Sequence, residues 1–540
     1  MPKGLNAHLK TAVKRSTLVL ASTVASQLVW FCIKILVVRS TTKAEFGIYS
    51  LMLTIFGVLV TIVPLGVPAG VTRFVSLSQG EENRAEAVGI SKAGVQIALC
   101  LGLAASIAIY FLSGQIARHV FYTPGLAGPL RIISFLLPFA IYQNITGGIL
   151  LGNGFISQKI FNDLLTPVFY MLLILVVLLF HMHFSGILFA YVSASLAIVF
   201  LVLAFGFKKL GGAYLLPFAR RGCTIPARPD YKKRHEALLK FSVPLLVASV
   251  TNMIIMWADT LMVGRYIGAK AVGTYSVSVS LVNLLLFPLT ALSFVFLPIS
   301  GEIYANDGAG NNGLRDLKRA YQVLTKWAFA ATLPIFFVLF FFPQMTITAL
   351  FGPRFLDAAL PLRFLAFGLM INAFLGTNGM LMMVMGYSRE IMNISVAGAA
   401  FNIAMNYILI KKAGLGLAGA SISTMSSYIL INVLYSLSLY RRSGLHPFSP
   451  SYMKPLAGAA ISGLLIYAVA KSLPLSFWML PVYFLLFVGG YGASLLLTRS
   501  IEAEDLFILE RVLNRMGVQP EPVLAFFERF TRGVSKPTPE

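Results

Sequence analysis

Charged side chains are scarce in this chain of 540 residues, since Asp, Glu, Lys and Arg together make up 12% of it. Soluble domains carry about twice that fraction, so the composition excludes an ordinary soluble protein. The acidic sign is the scarcer one, with 20 Asp and Glu against 43 Lys and Arg. A basic surplus raises nucleic acid as a partner, but these basic residues collect in the segments predicted to be cytoplasmic. That placement is typical of the positive-inside rule, so we expect no nucleic-acid partner.

Cysteines and nucleotide-binding motifs are also rare. The three cysteines, Cys32, Cys100 and Cys223, are too scattered for a disulfide framework or a metal-ligand spacing. No G-x-x-x-x-G-K motif occurs, so ATP hydrolysis by this chain is not expected. An integral-membrane glycosyl transferase would normally need a large polar loop with acid and base residues, and the predicted outer loops are short. We therefore expect no catalytic residues, no metal site and no cofactor.

Apolar residues, by contrast, make up 57% of the chain. A bilayer core of about 30 Å needs about 20 apolar residues per spanning helix. About fourteen stretches of that length follow one another between short polar breaks. The sequence thus predicts an all-α polytopic membrane protein with about 14 transmembrane helices, and the distribution of Lys and Arg predicts that both termini are cytoplasmic.

The chain is also duplicated. The string "PLRIISFLL" begins at residue 129 and "PLRFLAFGL" at residue 361, an offset of 232 residues. Upstream, four residues recur with the same spacing at an offset of 226: Arg39, Gly47, Tyr49 and Ser50 match Arg265, Gly273, Tyr275 and Ser276. Each copy holds six spans, so both enter the membrane from the same side. This design is typical of transporters that bind substrate between two lobes and alternate access by rocking them, although duplication alone could also build a membrane scaffold.

The repeat predicts five parts. They are an N-lobe at residues 1–206, a basic cytoplasmic linker at 207–239, a C-lobe at 240–440, two further spans at 441–498 and an amphipathic cytoplasmic tail at 499–540. The predicted fold is therefore two pseudo-symmetric six-helix lobes plus two C-terminal helices. The basic linker could also attract anionic membrane lipids.

Polar side chains within two spans mark a candidate substrate route. One face of the first span holds Ser16, Thr23, Gln27 and Lys34, and one face of the seventh holds Ser242, Ser249, Asn252 and Asp259. Such stripes must face protein or a watery cavity, though Ser, Thr and Asn can also simply join helices. A charge at mid-membrane costs about 3 kcal/mol, so we predict functional roles for Lys34 and Asp259. Their offset of 225 residues is one short of the repeat offset, which predicts that they pair as an outer gate.

Four strings together resemble a known family: "VVRSTTKAEFGIYSL", "FSVPLLVASVTNMIIMWADTLMVGRYIGAKAVGTYSV", "LFGPRFLDAALPLRFLAFGLMI" and "NIAMNYILIKKAGLGLAGASIST". They are similar to the polysaccharide-transporter family, the Wzx-type flippases of lipid-linked oligosaccharides within the multidrug and oligosaccharidyl-lipid exporter superfamily. The resemblance covers about residues 10–500. Its motifs are specific for the family and weak for the substrate.

The resemblance implies a V-shaped pair of lobes around a cationic cavity in the plasma (inner) membrane. The implied substrate is an oligosaccharide joined through phosphate or pyrophosphate to a polyprenol, which a monomer turns from the inner to the outer leaflet. The cations expected along this route are Lys34, Arg39, Arg73 and Arg265, with Gln27 and Asn252 as polar lining. Asp259 departs from a purely cationic cavity, so it either pairs with Lys34 or binds a coupling ion such as Na⁺ or H⁺.

Two alternatives share the superfamily. A peptidoglycan-precursor flippase also has fourteen spans, so the span count does not separate it from an oligosaccharide flippase. A multidrug or metabolite exporter usually has twelve, which counts against that alternative.

Overall fold

The structure is a computed structural model. It describes residues 3–81, 83–210, 231–307, 311–449, 452–472, 479–498 and 521–528, with single positions 214, 500, 502, 505, 506, 510 and 513. Most of the predicted linker and tail lie outside these residues. Within them the chain is helical and contains no strand, which confirms the all-α prediction. Ten helical segments are long and apolar enough to cross a membrane, and three shorter apolar helices accompany them; the total of fourteen stays a prediction.

The helices follow one another with short breaks. In chain order they are α1 Lys3–Ser40, α2 Lys43–Ile62, α3 Val67–Gly80, α4 Arg84–Gln115, α5 Ala127–Gly152, α6 Ile156–Leu179, α7 His183–Leu210, α8 Tyr231–Tyr266, α9 Ala269–Val282, α10 Leu286–Asp307, α11 Asn311–Phe341, α12 Pro343–Phe351, α13 Ala359–Leu375, α14 Asn378–Val384, α15 Ser388–Asn406, α16 Gly416–Ser443, α17 Met453–Ser472, α18 Met479–Leu497 and α19 Glu521–Glu528. A 3-10 turn precedes α5 at Pro124–Leu126 and α13 at Pro353–Ala358.

Local sequence explains where α2 and α3 begin and end. A capping box starts α2, because Glu45 Oε2 accepts a hydrogen bond from the Thr42 amide at 2.8 Å while the Thr42 side chain accepts one from the Glu45 amide. The break after α2 includes Gly66, whose φ of 73° is left-handed. The helix then resumes with Pro68 in its first turn, a position where proline is favoured. Helix α3 thus follows α2 after a short break of four residues.

The repeated Pro-Leu-Arg motif has the same structural role in both copies. Arg131 of α5 donates from Nε to Ser113 Oγ of α4 at 3.3 Å. Arg363 of α13 donates from Nε to the Phe340 carbonyl of α11 at 3.0 Å. Each arginine therefore fastens the start of its helix to the end of a preceding long helix, which explains why the motif occurs twice.

Packing divides the chain into two compact units. Unit A comprises residues Ala21–Ser276 and Ile403–Leu417. Its core lies among α3, α4 and α5, where Val71, Val95 and Ile141 are fully buried. Helix α8 packs on α2, α3 and α4. The helices approach closely because glycines, which have no side chain, face α8. An added Cβ at Gly57 would lie 2.6 Å from the Trp257 ring.

Unit B comprises Met1–Leu20, Val277–Asn402 and Ala418–Glu540. Its core contains α10, α11, α13 and α14, and the last two long helices, α17 and α18, pack on α11. The rings of Phe337 and Phe487 stack there with centroids 4.2 Å apart. Aromatic pairs of this kind add about 0.5–1.5 kcal/mol beyond their area burial, so the extra helix pair is firmly attached within unit B.

These units follow a different division from the predicted lobes. Residues 231–276 cover α8 and much of α9, which the repeat assigns to the C-lobe, but they pack within unit A. Residues 1–20 are grouped with unit B. The five-part division of the chain therefore stays a proposal that rests on the repeat.

Candidate functional site

The predicted route begins on α1, where Gln27 and Lys34 are both partly exposed. Lys34 lies between Ile33 and Val37, whose side chains are fully buried. Among the residues that the structure describes, none makes a hydrogen bond or ion pair with the Lys34 ammonium group. On α8, Asn252 is exposed. Lys34 is therefore a cation within the first span that has no counter-ion among the described residues.

Asp259 of α8 is buried, with 3% of its surface exposed. The Tyr275 hydroxyl of α9 donates a hydrogen bond to its Oδ2, and Tyr275 is itself fully buried. The structure thus brings Asp259 together with Tyr275 and forms no ion pair between Asp259 and Lys34 in its described part. The predicted pairing of Lys34 with Asp259 stays a prediction.

Tyr275 has a counterpart in the other repeat, Tyr49, which also makes a buried hydroxyl contact. The hydroxyl groups of Tyr49 and Tyr170 lie 2.9 Å apart. Both tyrosines entered the sequence comparison only as repeat anchors, so their hydrogen-bonding role was missed. The sequence feature that could have indicated this role is a tyrosine at the same repeat position in two apolar helices. The hydroxyl group of a buried tyrosine usually makes a hydrogen bond.

Two of the three predicted arginines lie at helix ends. Arg39 and Arg265 occupy the last turns of α1 and α8, where a cation is favoured by the helix dipole. The Arg265 guanidinium lies 4.5 Å from the ring centroid of Tyr122. Arg73, in the middle of α3, lies 4.3 Å from the ring centroid of Phe241. All three are at least partly exposed, and stacking on an aromatic ring helps to fix the guanidinium positions of Arg73 and Arg265.

These cations do not form one cluster. Phe241, the partner of Arg73, and Arg265 are 24 residues apart on α8, which is about 36 Å along a helix. That separation is close to the thickness of a bilayer core, about 30 Å. Arg73 therefore lies towards one end of the spans, and Arg265 lies at the other.

A polar cavity of about 240 Å³ lies within unit A, between α2, α5, α6 and α7. Gln143, Asn144 and Asp163 line it together with apolar residues that include Val60 and Val202. The sequence analysis selected none of these three polar residues. The signal that could have found this site is an acid near the start of one apolar span, combined with two consecutive amides within the preceding span.

Comparison with known proteins places the chain in a family. The family model described as "Polysaccharide biosynthesis protein" matches residues 12–304, and a model described as "MatE" matches residues 244–408. A membrane protein of Methanocaldococcus jannaschii is 22% identical over 419 residues, which cover 74% of this chain and 78% of that protein. The teichuronic acid biosynthesis protein TuaB of Bacillus subtilis is 23% identical over 223 residues, 40% of this chain and 43% of TuaB.

Solved structures share the fold. The lipid II flippase MurJ in an inward closed conformation superposes with a TM-score of 0.69 at 14% identity, covering 88% of this chain and 98% of MurJ. An inward-facing multidrug transporter of the MATE family gives a TM-score of 0.66 at 15% identity, covering 78% of this chain and 94% of the transporter. The first family model matches more than half of the chain, so this multi-pass membrane protein belongs to the polysaccharide biosynthesis protein family of Wzx-type exporters.

Proposed function

We propose that the protein flips a polyprenyl-phosphate-linked or polyprenyl-diphosphate-linked oligosaccharide from the inner to the outer leaflet of the plasma membrane. Family membership and the MurJ-like fold support a lipid-linked substrate. The observation on which the proposal mainly rests is Lys34, a cation within a long apolar helix that has no partner among the described residues. A buried or half-buried lysine in a membrane is costly without a counter-ion, and a phosphate group would supply one.

The separation of the other cations supports a route across the membrane. In the proposed topology both termini and the basic linker are cytoplasmic, so Arg73 lies at the inner end, where a head group enters. Arg39 and Arg265 lie at the outer end, where it leaves. A monomer contains this whole set of cations, and alternating access would expose first one end and then the other.

Asp259 is proposed to act with Lys34 as the outer gate. Tyr275 donates to one carboxylate oxygen of Asp259 and thereby fixes the carboxyl group on α8. In a state in which α1 approaches α8, Lys34 would pair with this carboxylate, and an arriving phosphate would compete for Lys34. A coupling ion, Na⁺ or H⁺, is the alternative occupant of Asp259.

Reconstitution tests the proposal directly. Purified protein in liposomes should expose a fluorescent lipid-linked oligosaccharide to an external lectin faster than empty liposomes do, and Lys34→Ala should slow this exposure. Equal rates with and without protein, for several glycans and several ion gradients, would contradict the proposed function. Hydrolysis of the lipid by purified protein would contradict the expectation that the chain is a transporter without enzymatic activity.

A peptidoglycan-precursor flippase is the second candidate, and the likeness to MurJ favours it over a drug exporter. The same liposomes discriminate the candidates when a peptidoglycan-precursor lipid, another lipid-linked glycan and a cationic drug are offered in separate assays. Flipping of the peptidoglycan precursor alone would support this second candidate.

A further inference from the structure

The polar cavity of unit A lies towards one end of its helices. Val60 lies two residues before the end of α2, Val202 lies eight residues before the end of α7, and Asp163 is in the second turn of α6. Gln143 and Asn144 lie in the C-terminal half of α5. The cavity therefore lies in the half of these spans that is nearer the end made cytoplasmic by the proposed topology, where a substrate would arrive.

The two amide side chains in the cavity are available to a ligand. Gln143 is half-buried and Asn144 is exposed, and neither amide has a hydrogen-bond partner among the residues whose side chains the structure describes. An amide placed within an apolar bundle is normally satisfied by another helix. Here two consecutive amides face a cavity instead. Each amide can both donate and accept hydrogen bonds, so the pair indicates a site for a polar ligand.

The volume and the walls restrict the chemistry of the ligand. The cavity has a volume of about 240 Å³, which is the volume that about eight molecules occupy in liquid water. This volume accommodates one sugar ring and is larger than a bare cation needs. Carboxamides with one carboxylate match hydroxyl groups, which also donate and accept. The apolar walls at Val60 and Val202 suit the C–H face of a ring. The negative charge of Asp163 disfavours phosphate.

We propose that this cavity binds an uncharged sugar ring of the transported glycan, with Gln143, Asn144 and Asp163 hydrogen-bonding its hydroxyl groups. The inference rests on the proposed function and adds a glycan subsite to it. Helix α1 connects this subsite to the cationic route, because Ser26 Oγ donates to the Asp163 carbonyl at 3.4 Å. Lys34 lies eight residues further along α1, about 12 Å away, so the phosphate and a nearby sugar can be held by one helix and its neighbours.

The test compares two fluorescent probes, a polyprenyl diphosphate that carries a neutral disaccharide and the same lipid without sugar. Binding to detergent-purified protein is measured by fluorescence anisotropy. The variant Gln143→Leu/Asn144→Leu should bind the glycosylated probe about tenfold more weakly, since each hydrogen bond contributes about 0.5–1.5 kcal/mol. Its affinity for the sugar-free probe should be unchanged. Leucine is well tolerated in a membrane span, so this variant should fold.

Gln115→Leu is the matched control, because Gln115 is an exposed glutamine at the end of α4, and it should bind both probes as the wild type does. If the wild type binds neither probe, the proposed function itself fails. If the wild type prefers the glycosylated probe and the double variant keeps that preference, the subsite is refuted while the function stands. Loss of a Na⁺ or pH response, with the sugar preference intact, would identify the cavity as an ion site and also overturn the inference.

Discussion

Gly47 of α2 and Gly273 of α9 occupy equivalent positions in the two repeats, and within unit A each lies against the backbone of the other's helix. A Cβ added to Gly47 would lie 1.7 Å from the Ala269 carbonyl oxygen, and one added to Gly273 would lie 2.2 Å from the Lys43 carbonyl oxygen. The contact is reciprocal, because α2 and α9 cross within their first turns. Small residues permit such a close helix crossing in membranes.

We expect alanine at either glycine to force α2 and α9 apart. The clash is with backbone atoms, which cannot rotate away, so Gly47→Ala and Gly273→Ala should each destabilise the protein by about 1–3 kcal/mol. Both methyl groups would act on one crossing, so the double variant should lose less stability than the two single variants together. Thermal unfolding in detergent measures this coupling.

Gly128→Ala is the control for that cycle, since nothing lies within 4 Å of an added Cβ at Gly128. It should unfold at the wild-type temperature. If alternating access separates α2 from α9, the two single variants should also favour the separated state and slow flipping. Wild-type unfolding temperatures for Gly47→Ala and Gly273→Ala would show that the crossing is not tight in solution.

A second test concerns a buried ion pair that holds the C-terminal segment within unit B. Lys326 of α11 donates to Asp505 Oδ2 at 2.5 Å, and the Trp327 indole donates to Asp505 Oδ1 at 3.0 Å. Lys326 and Asp505 are 2% and 4% exposed. Removing one partner of such a pair typically costs about 3–5 kcal/mol, because the other charge stays buried.

Lys326→Met and Asp505→Leu should therefore each lower the unfolding temperature strongly, and the double variant should recover much of the loss. Replacing both charges by apolar side chains removes the unpaired charge that each single variant leaves. Arg442→Met is the comparison, because the ion pair of Arg442 with Glu390 is partly exposed and exposed pairs contribute little. A double variant as unstable as the worse single one would show that packing, rather than charge pairing, dominates.

Sequence reasoning predicted the features that repeat or that depend on local patterns. The apolar stretches correctly predicted that the chain is helical. The duplicated Arg131 and Arg363 have the same structural role in the two copies. It missed contacts made between distant segments. Asp505 is 179 residues from Lys326, and no local pattern in either segment indicates that they pair.

The candidate site was harder to predict because symmetry does not choose hydrogen-bond partners. The repeat offset suggested Lys34 as the partner of Asp259, but it did not indicate that the phenol of Tyr275 donates to one oxygen of this buried carboxylate. Likewise, Asn144 faces a cavity that only the packing of four helices creates. Neither outcome follows from spacing on one helix.

Cysteine labelling tests the predicted topology. In a background without Cys32, Cys100 and Cys223, single cysteines at the exposed positions Glu81 and Ser185 should react with an impermeant thiol reagent from opposite sides of the membrane. The reason is the Lys and Arg asymmetry, which places residue 81 inside and residue 185 outside. Permeabilised cells supply the control for accessibility. Reaction of both cysteines from the same side would contradict the predicted span count between them.

The last prediction concerns Lys34 and Asp259 as a gate. If phosphate binding or gating depends on the two charges, Lys34→Ala and Asp259→Ala should each slow flipping by about tenfold or more, because hydrogen bonds to charged groups contribute about 1.5–3 kcal/mol. Exchanging the two residues should restore part of the rate, since the pair is kept while its direction is reversed. Lys270→Ala, which removes an exposed charge at the start of α9, is the control and should flip at the wild-type rate.

Tyr275→Phe separates the gate from a local structural role for Asp259. This variant removes the phenol that donates to Asp259 and leaves both gate charges in place. If Asp259 matters through Lys34, Tyr275→Phe should flip much faster than Asp259→Ala, and the charge exchange should still rescue. If Tyr275→Phe is as slow as Asp259→Ala and the exchange restores nothing, the carboxylate serves only the contact between α8 and α9, and Lys34 acts without it.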